Sequence, residues 1–240
     1  DGYDYLEPFV GYGHILKRVT RKRSYAASDT NPLVVSLLRG VQRGEALPPI
    51  TRARYAQLKA AKDDASFERA VAAFQWSFNG KEFGGYVHHY TRPDGRVDDI
   101  PASRARHYAA LRTSPAFAHA TLTHCDYRAH TPSQTHTPSQ SHTPTQCLVY
   151  CDPPYQHTTG YRGTAPFDHA AFWETVDGLE PADKRRLLLF ITGMSRLPAK
   201  GTDFMTIEMP FLPLGLDDQR KILHMVPQSH TCDNILELPN

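Results

Sequence analysis

The stretch Leu148-Val149-Tyr150-Cys151-Asp152-Pro153-Pro154-Tyr155 constrains this chain more than any other. Its first residues are apolar enough for a buried strand, and the strand must stop at Asp152. Neither Pro153 nor Pro154 has an N–H for a sheet ladder, and both fix φ, so a rigid turn has to follow. The stretch therefore predicts a turn at the carboxyl end of a strand, the place where open α/β sheets bind ligands. Asp152 offers an acceptor there, Pro153 and Pro154 offer carbonyls, and Tyr155 offers a flat aromatic face.

Those groups suit a flat heterocycle with an exocyclic amine. The Asp152 carboxylate and the Pro153 carbonyl can each accept one amine hydrogen while Tyr155 stacks on the ring. Acceptors placed in this way localise the nitrogen lone pair for attack on a methyl donor and stabilise the charge that develops. The competing view is an ordinary proline-rich surface turn.

The chain has 240 residues, 40% of them hydrophobic, which suffices for one large domain or a domain with a sizeable insert. A formal charge of only +2 confines any nucleic-acid surface to a local patch. The four cysteines, Cys125, Cys147, Cys151 and Cys232, include no C-x-x-C pair, so reduced, intracellular thiols are expected and a zinc site is not. No apolar run is long enough to cross a bilayer and no signal peptide is visible, so a cytoplasmic or nuclear, non-secreted protein is expected. The first residue is not Met, which suggests a fragment.

Residues 4–10 read as a strand, and Gly11-Tyr12-Gly13 follows. The stretch His14 to Arg23 then looks helical. Strand, glycine turn and helix can set a ligand against backbone N–H groups, although a lone G-x-G is also a common tight turn. Tyr25–Asp29 reads as a second strand ending in an acid. Asp29 follows the glycines at about 20 residues, a spacing that suits ribose hydroxyls, although it also suits a cap before Asn31-Pro32. Leu33, Leu37 and Val41 predict one helix, Thr51 caps another over Arg52–Lys62, and Phe67, Val71 and Phe74 mark a third. Tyr86–Tyr90 alternates like a strand. Arg92-Pro93-Asp94-Gly95-Arg96 is a hairpin turn whose arginines either enter a DNA groove or are simply solvated. Ala102–Arg112 predicts a helix and Ala120–Cys125 a strand. Asp126 and Tyr127 at its end offer an acceptor beside an apolar wall.

Residues 130–146 repeat His-Thr-Pro-Ser/Thr-Gln with a period of six and contain no core-forming residue, which predicts a disordered or extended surface loop. Phe167 and Phe172 flank Asp168 at the spacing of a hydrophobic staple around an N-cap. Leu187–Ile191 reads as a buried strand, and Thr202–Met209 contains another.

These stretches together resemble the Dam-type DNA adenine-N6 methyltransferases of phages and large viruses. Leu6-Glu7-Pro8-Phe9-Val10-Gly11-Tyr12-Gly13 is similar to that family's S-adenosylmethionine loop, Ser28-Asp29-Thr30-Asn31-Pro32 to its ribose-binding acid, and Asp126-Tyr127 to the pair at the cofactor adenine. Tyr150 to Tyr155 is similar to its catalytic element, and Ser77 to Lys81 with Phe83 to Tyr86 resembles viral members. The resemblance implies an α/β class I S-adenosylmethionine-dependent methyltransferase with a Rossmann-like sheet. The catalytic domain would comprise 1–31 and 118–240, and 32–117 would be a helical DNA-recognition insert. It implies methyl transfer from S-adenosylmethionine to N6 of an adenine flipped from double-stranded DNA, within restriction-modification. Asp152, Pro153, Pro154 and Tyr155 would be catalytic. Glu7, Pro8, Phe9, Gly11, Gly13, Asp29, Asp126 and Tyr127 would hold cofactor. Asn79, Lys81, Arg92 and Arg96 would hold DNA, with no metal. The alternatives are methylation of cytosine N4, or an inactive DNA-binding relic that lacks the family's N-terminal Gly-Gly-Lys segment.

Overall fold

The computed structural model describes residues 4–20, 22–130, 147–154, 167–177, 187–190 and 205–207. At its centre is a six-stranded sheet in the order β5-β2-β1-β6-β7-β8, with every neighbouring pair parallel. The strands are β1 (Asp4–Glu7), β2 (Ser24–Asp29), β5 (Thr121–His124), β6 (Cys147–Cys151), β7 (Leu187–Phe190) and β8 (Met205–Ile207). Register aligns Leu6 with Ala26 on one side and Val149 on the other. Tyr5, Leu6, Ala27, Leu148 and Tyr150 are buried, as expected of parallel strands covered on both faces. Because the strands are parallel, Glu7, Asp29, His124 and Cys151 finish at one edge. The chain runs outward from β1 through β2 to β5, then returns to the other side of β1 as β6. The reversal lies between β1 and β6.

Helices follow where capping chemistry starts them. α1 (Pro32–Arg43) begins at Asn31, whose side chain accepts from the Leu33 N–H, with Pro32 at the first helical position. Gly44 ends it at φ 76°, and the Glu45 N–H reaches back to the Gly40 carbonyl at 3.0 Å. Thr51 caps α2 (Arg52–Ala60) and Ser66 caps α3 (Phe67–Phe74). Asp99 caps α4 (Ile100–Arg112), and Ser114 caps α5 (Pro115–His119). The strand residues Tyr5, Ala27, Leu122, Leu148 and Tyr150 share one buried cluster with Leu33, Leu37, Val71, Phe74, Leu111 and Phe117. The helices of 32–117 thus bury their apolar faces in the same core as the sheet.

A two-stranded antiparallel hairpin joins β3 (His89–Thr91) to β4 (Val97–Asp99) and leads directly into α4. The predicted strand over Tyr86–Tyr90 therefore begins later, at His89. The predicted helix over His14–Arg23 is only a 3-10 turn at Leu16–Arg18. Val19 already has extended backbone, and the β-branched pair Val19-Thr20 favours that state over helix. The staple at Asp168 forms as expected at the start of α6 (His169–Asp177). Asp168 accepts from the Ala171 N–H at 3.0 Å, and the Phe167 and Phe172 ring centroids lie 5.7 Å apart. Tyr155, the repeat over 131–146 and most of the tail from Pro198 lie outside the described residues. Among the described residues, no helix is long and apolar enough to cross a membrane.

The crossing of α1 and α3 turns on Gly40. A Cβ there would sit 2.2 Å from Cδ2 of Phe67. In an isolated helix Gly40→Ala would gain about 1 kcal/mol of propensity, whereas overpacking costs typically about 1–3 kcal/mol. Gly40→Ala should therefore lower the melting temperature, and adding Phe67→Leu should recover part of the loss. A rise in melting temperature for Gly40→Ala alone would show that the helices do not cross at this contact.

Candidate functional site

The edge where β1, β2, β5 and β6 end gathers several ionisable groups. Glu7 is fully buried and accepts from the Tyr5 hydroxyl at 2.9 Å. Burial pushes its carboxyl up to about 8, and the charge of Asp152 beside it acts in the same direction, so Glu7 is largely protonated at neutral pH. The Cys151 thiol is also pushed well above its ordinary range, first by burial and then by Asp152 and Glu7. Asp152 stands in the turn after β6, with Pro153 buried and Pro154 exposed. Tyr155 lies outside the described residues.

Asp29 ties two turns together. Its carboxylate accepts from the Gly11 N–H at 3.1 Å and the Asn31 N–H at 2.8 Å. Burial raises it to about 6 although both backbone donors favour the charged form. Gly11 has φ +47° and Gly13 φ +68°, and the Gly13 N–H closes onto the Val10 carbonyl at 2.8 Å, so this is a tight turn that glycine permits.

The other predicted residues divide into those near this edge and those apart from it. Phe9, which follows Pro8, stacks on Tyr127 with centroids 5.5 Å apart, and both rings pack on Phe167 and Phe172. Asp126 accepts from the Arg128 guanidinium at 2.7 Å, and that pairing holds its carboxyl below the usual range despite partial burial. Asn79, at φ +51°, and Lys81 belong to the turn around Gly80, whose carbonyl accepts from the Tyr12 hydroxyl. The Asn31 side chain donates to Glu82 at 2.8 Å, so that turn is fastened to the loops after β1 and β2. Arg92 and Arg96 instead sit on the β3–β4 hairpin, where Arg92 pairs with Asp98 at 2.6 Å and Arg96 with Asp94 at 2.7 Å.

Sequence inspection did not single out a polar chain beside Ser28. The Cys125 sulfur and the Ser28 hydroxyl each lie 3.0 Å from Nε2 of His130. Cys125 and His130 are 5 residues apart, whereas Ser28 is 102 residues from His130 and is brought to it by the parallel pairing of β2 and β5.

The HECT-domain (ubiquitin-transferase) family model matches residues 155–240, little more than a third of the chain. The match begins directly after Pro154 and takes in α6, β7 and β8, while β1 to β6 precede it. The E3 ubiquitin-protein ligase RSP5 of Chaetomium thermophilum is 36% identical over 90 residues, covering 34% of this chain and 10% of the relative. The E3 ubiquitin-protein ligase etc-1 of Caenorhabditis elegans is 37% identical over 68 residues, covering 28% of this chain and 6% of the relative. The E3 ubiquitin-protein ligase HACE1 of Bos taurus is 31% identical over 94 residues, covering 35% of this chain and 9% of the relative. The chain thus spans about a tenth or less of the length of these curated relatives.

These matches overturn the methyltransferase expectation. The Dam-type resemblance, the class I methyltransferase fold, adenine-N6 methylation and restriction-modification are replaced by similarity to ubiquitin ligases. S-adenosylmethionine as cofactor and DNA with a flipped adenine as partner fall with them, as do the cytosine-N4 and DNA-relic alternatives. The physical reason is that the motifs were local. A strand ending in Asp-Pro-Pro sets a turn and an acceptor without fixing a reaction. In the structure Asp29 joins two turns, Tyr127 packs on other aromatics, and the hairpin arginines are paired with aspartates.

Glu7 supplies a test of the described edge. Its carboxyl titrates near 4.5 when unfolded and at about 8 when folded. Between those values the unfolded state sheds the proton while the folded state keeps it, so stability falls as pH rises through this window. The loss is on the order of a few kcal/mol. Glu7→Gln stays neutral in both states and should flatten the decline between pH 5 and 8, measured by denaturant unfolding. An identical pH dependence in wild type and Glu7→Gln would place the titrating group elsewhere.

Proposed function

We propose that this chain carries a ubiquitin-transfer activity in residues 155–240, with Cys232 as the residue that accepts ubiquitin. The observation that carries the proposal is the HECT-domain (ubiquitin-transferase) match over those residues, within which Cys232 is the only cysteine. Covalent transfer of an acyl group needs a nucleophile that also leaves readily, and a thiolate meets both demands. Cys232 follows His230 and Thr231, and all three lie outside the described residues.

In this scheme the Cys232 thiolate attacks the thioester carbonyl at the carboxyl terminus of ubiquitin held on a ubiquitin-conjugating (E2) enzyme. A new thioester forms on Cys232 and the conjugating enzyme's cysteine leaves as thiolate. An acceptor amine then attacks that carbonyl, an amide forms, its proton is released to solvent or a base, and Cys232 leaves as thiolate. A reducing intracellular compartment keeps the Cys232 thiol available for this cycle. The conjugating enzyme and the acceptor belong to the proposal, because the chain spans only a small part of its curated relatives.

The test uses the full chain and a conjugating enzyme charged with ubiquitin. Wild type should form a ubiquitin adduct that resists denaturant and is released by excess thiol. Cys232→Ala should lose that adduct by roughly 10³-fold or more, the scale on which removal of a nucleophile acts. Cys125→Ser should keep it. Absence of an adduct on wild type, or its survival in Cys232→Ala, would refute the assignment.

A further inference from the structure

We infer that His88, His89 and Asp99 form a binding site for a divalent transition-metal ion of the zinc type. Their ligand atoms, two imidazole nitrogens and a carboxylate oxygen, all lie within 4.8 Å of one another, and all three residues are exposed. Ligands about 2.0–2.2 Å from a tetrahedral zinc ion stand roughly 3.3–3.5 Å apart. Exposed side chains close the difference by small changes of rotamer. Two nitrogens and one oxygen suit zinc-like ions, whereas magnesium and calcium prefer all-oxygen shells. Three protein ligands leave a fourth position for water or an anion.

The backbone builds this arrangement. Strand register sets His89 opposite Asp99, and the Ile100 N–H donates to the His88 carbonyl at 2.9 Å. β3 begins at His89, so His88 is free of the alternation that would send neighbouring strand side chains to opposite faces. The two imidazole centroids lie 3.9 Å apart. The His88 ring is also stacked on Trp76, at 5.2 Å between centroids. Asp99 accepts from the Ala102 N–H through Oδ1 at 2.9 Å, which orients the carboxylate and leaves Oδ2 for an ion. Arg92 and Arg106 line the adjoining recess with Asp98 and Asp99, and the pairing of Arg92 with Asp98 offsets one of those charges. A bound ion would tie the hairpin to the start of α4.

The test is calorimetric titration of the full chain with Zn²⁺, after its accessible thiols have been alkylated with iodoacetamide. His88→Phe keeps a ring on Trp76, His89→Gln changes an exposed side chain, and Asp99→Asn keeps a good N-cap. Each should weaken Zn²⁺ binding at least about tenfold, with the melting temperature in chelator unchanged. Zn²⁺ should raise the melting temperature of wild type more than that of the variants. The double variant His136→Gln/His142→Gln, in the repeat, should bind like wild type. Wild-type affinity in both His89→Gln and Asp99→Asn would overturn the site, as would loss of binding in the repeat variant alone.

Discussion

The described fold depends on one buried carboxylate. Asp29 receives the N–H of Gly11 from the loop after β1 and the N–H of Asn31 at the entrance to α1. Asn31, held in this way, caps α1 and reaches Glu82 with its amide. The turn around Gly80 is then joined to the β1 loop through Tyr12. Two sheet strands, the first long helix and a distant turn are thus linked in sequence through a single acid. Burying it is unfavourable, as its raised titration shows, but two preorganised donors offset that penalty.

The same edge holds Glu7 and Asp152 close enough that the charge of one opposes ionisation of the other. A parallel sheet brings the ends of β1, β2, β5 and β6 together, so acids at those positions crowd one another. The crowding is relieved by a proton on Glu7, which also accepts from the Tyr5 hydroxyl, while Phe9 and Tyr127 pack against Phe167 and Phe172 beside it.

What could be read from sequence was local. Thr51 and Asp168 declared helix starts because capping depends on a few residues, whereas the cap of α1 is Asn31 and not Asp29, which instead accepts from the Asn31 N–H. The staple of Phe167 and Phe172 was legible for the same reason, and so were the strands over Tyr25–Asp29 and Ala120–Cys125. His14–Arg23 misled, because its apolar residues satisfy long-range burial: Leu16 and Val19 sit in the shared core with only a short 3-10 turn and no α-helix to carry them. The contact of His130 with Ser28 depends on strand order and leaves no trace in spacing. Function was the least legible. Asp152 to Tyr155 specify a turn and an acceptor, groups that many ligands can use. Cys232 carries no neighbouring signature of reactivity that a spacing rule would catch, and only similarity to ubiquitin ligases draws attention to it.

The central claim is that covalent chemistry in this chain resides on Cys232 rather than at the strand-end acids. It is tested most directly by mapping the site of the adduct. The full chain is incubated with ubiquitin-charged conjugating enzyme, quenched in acid without reductant, digested, and the peptides are identified by mass spectrometry. The account predicts the carboxyl-terminal remnant of ubiquitin in thioester linkage on the peptide containing Cys232, with Cys125, Cys147 and Cys151 recovered unmodified. A remnant on any of those three cysteines, or on none, would contradict it.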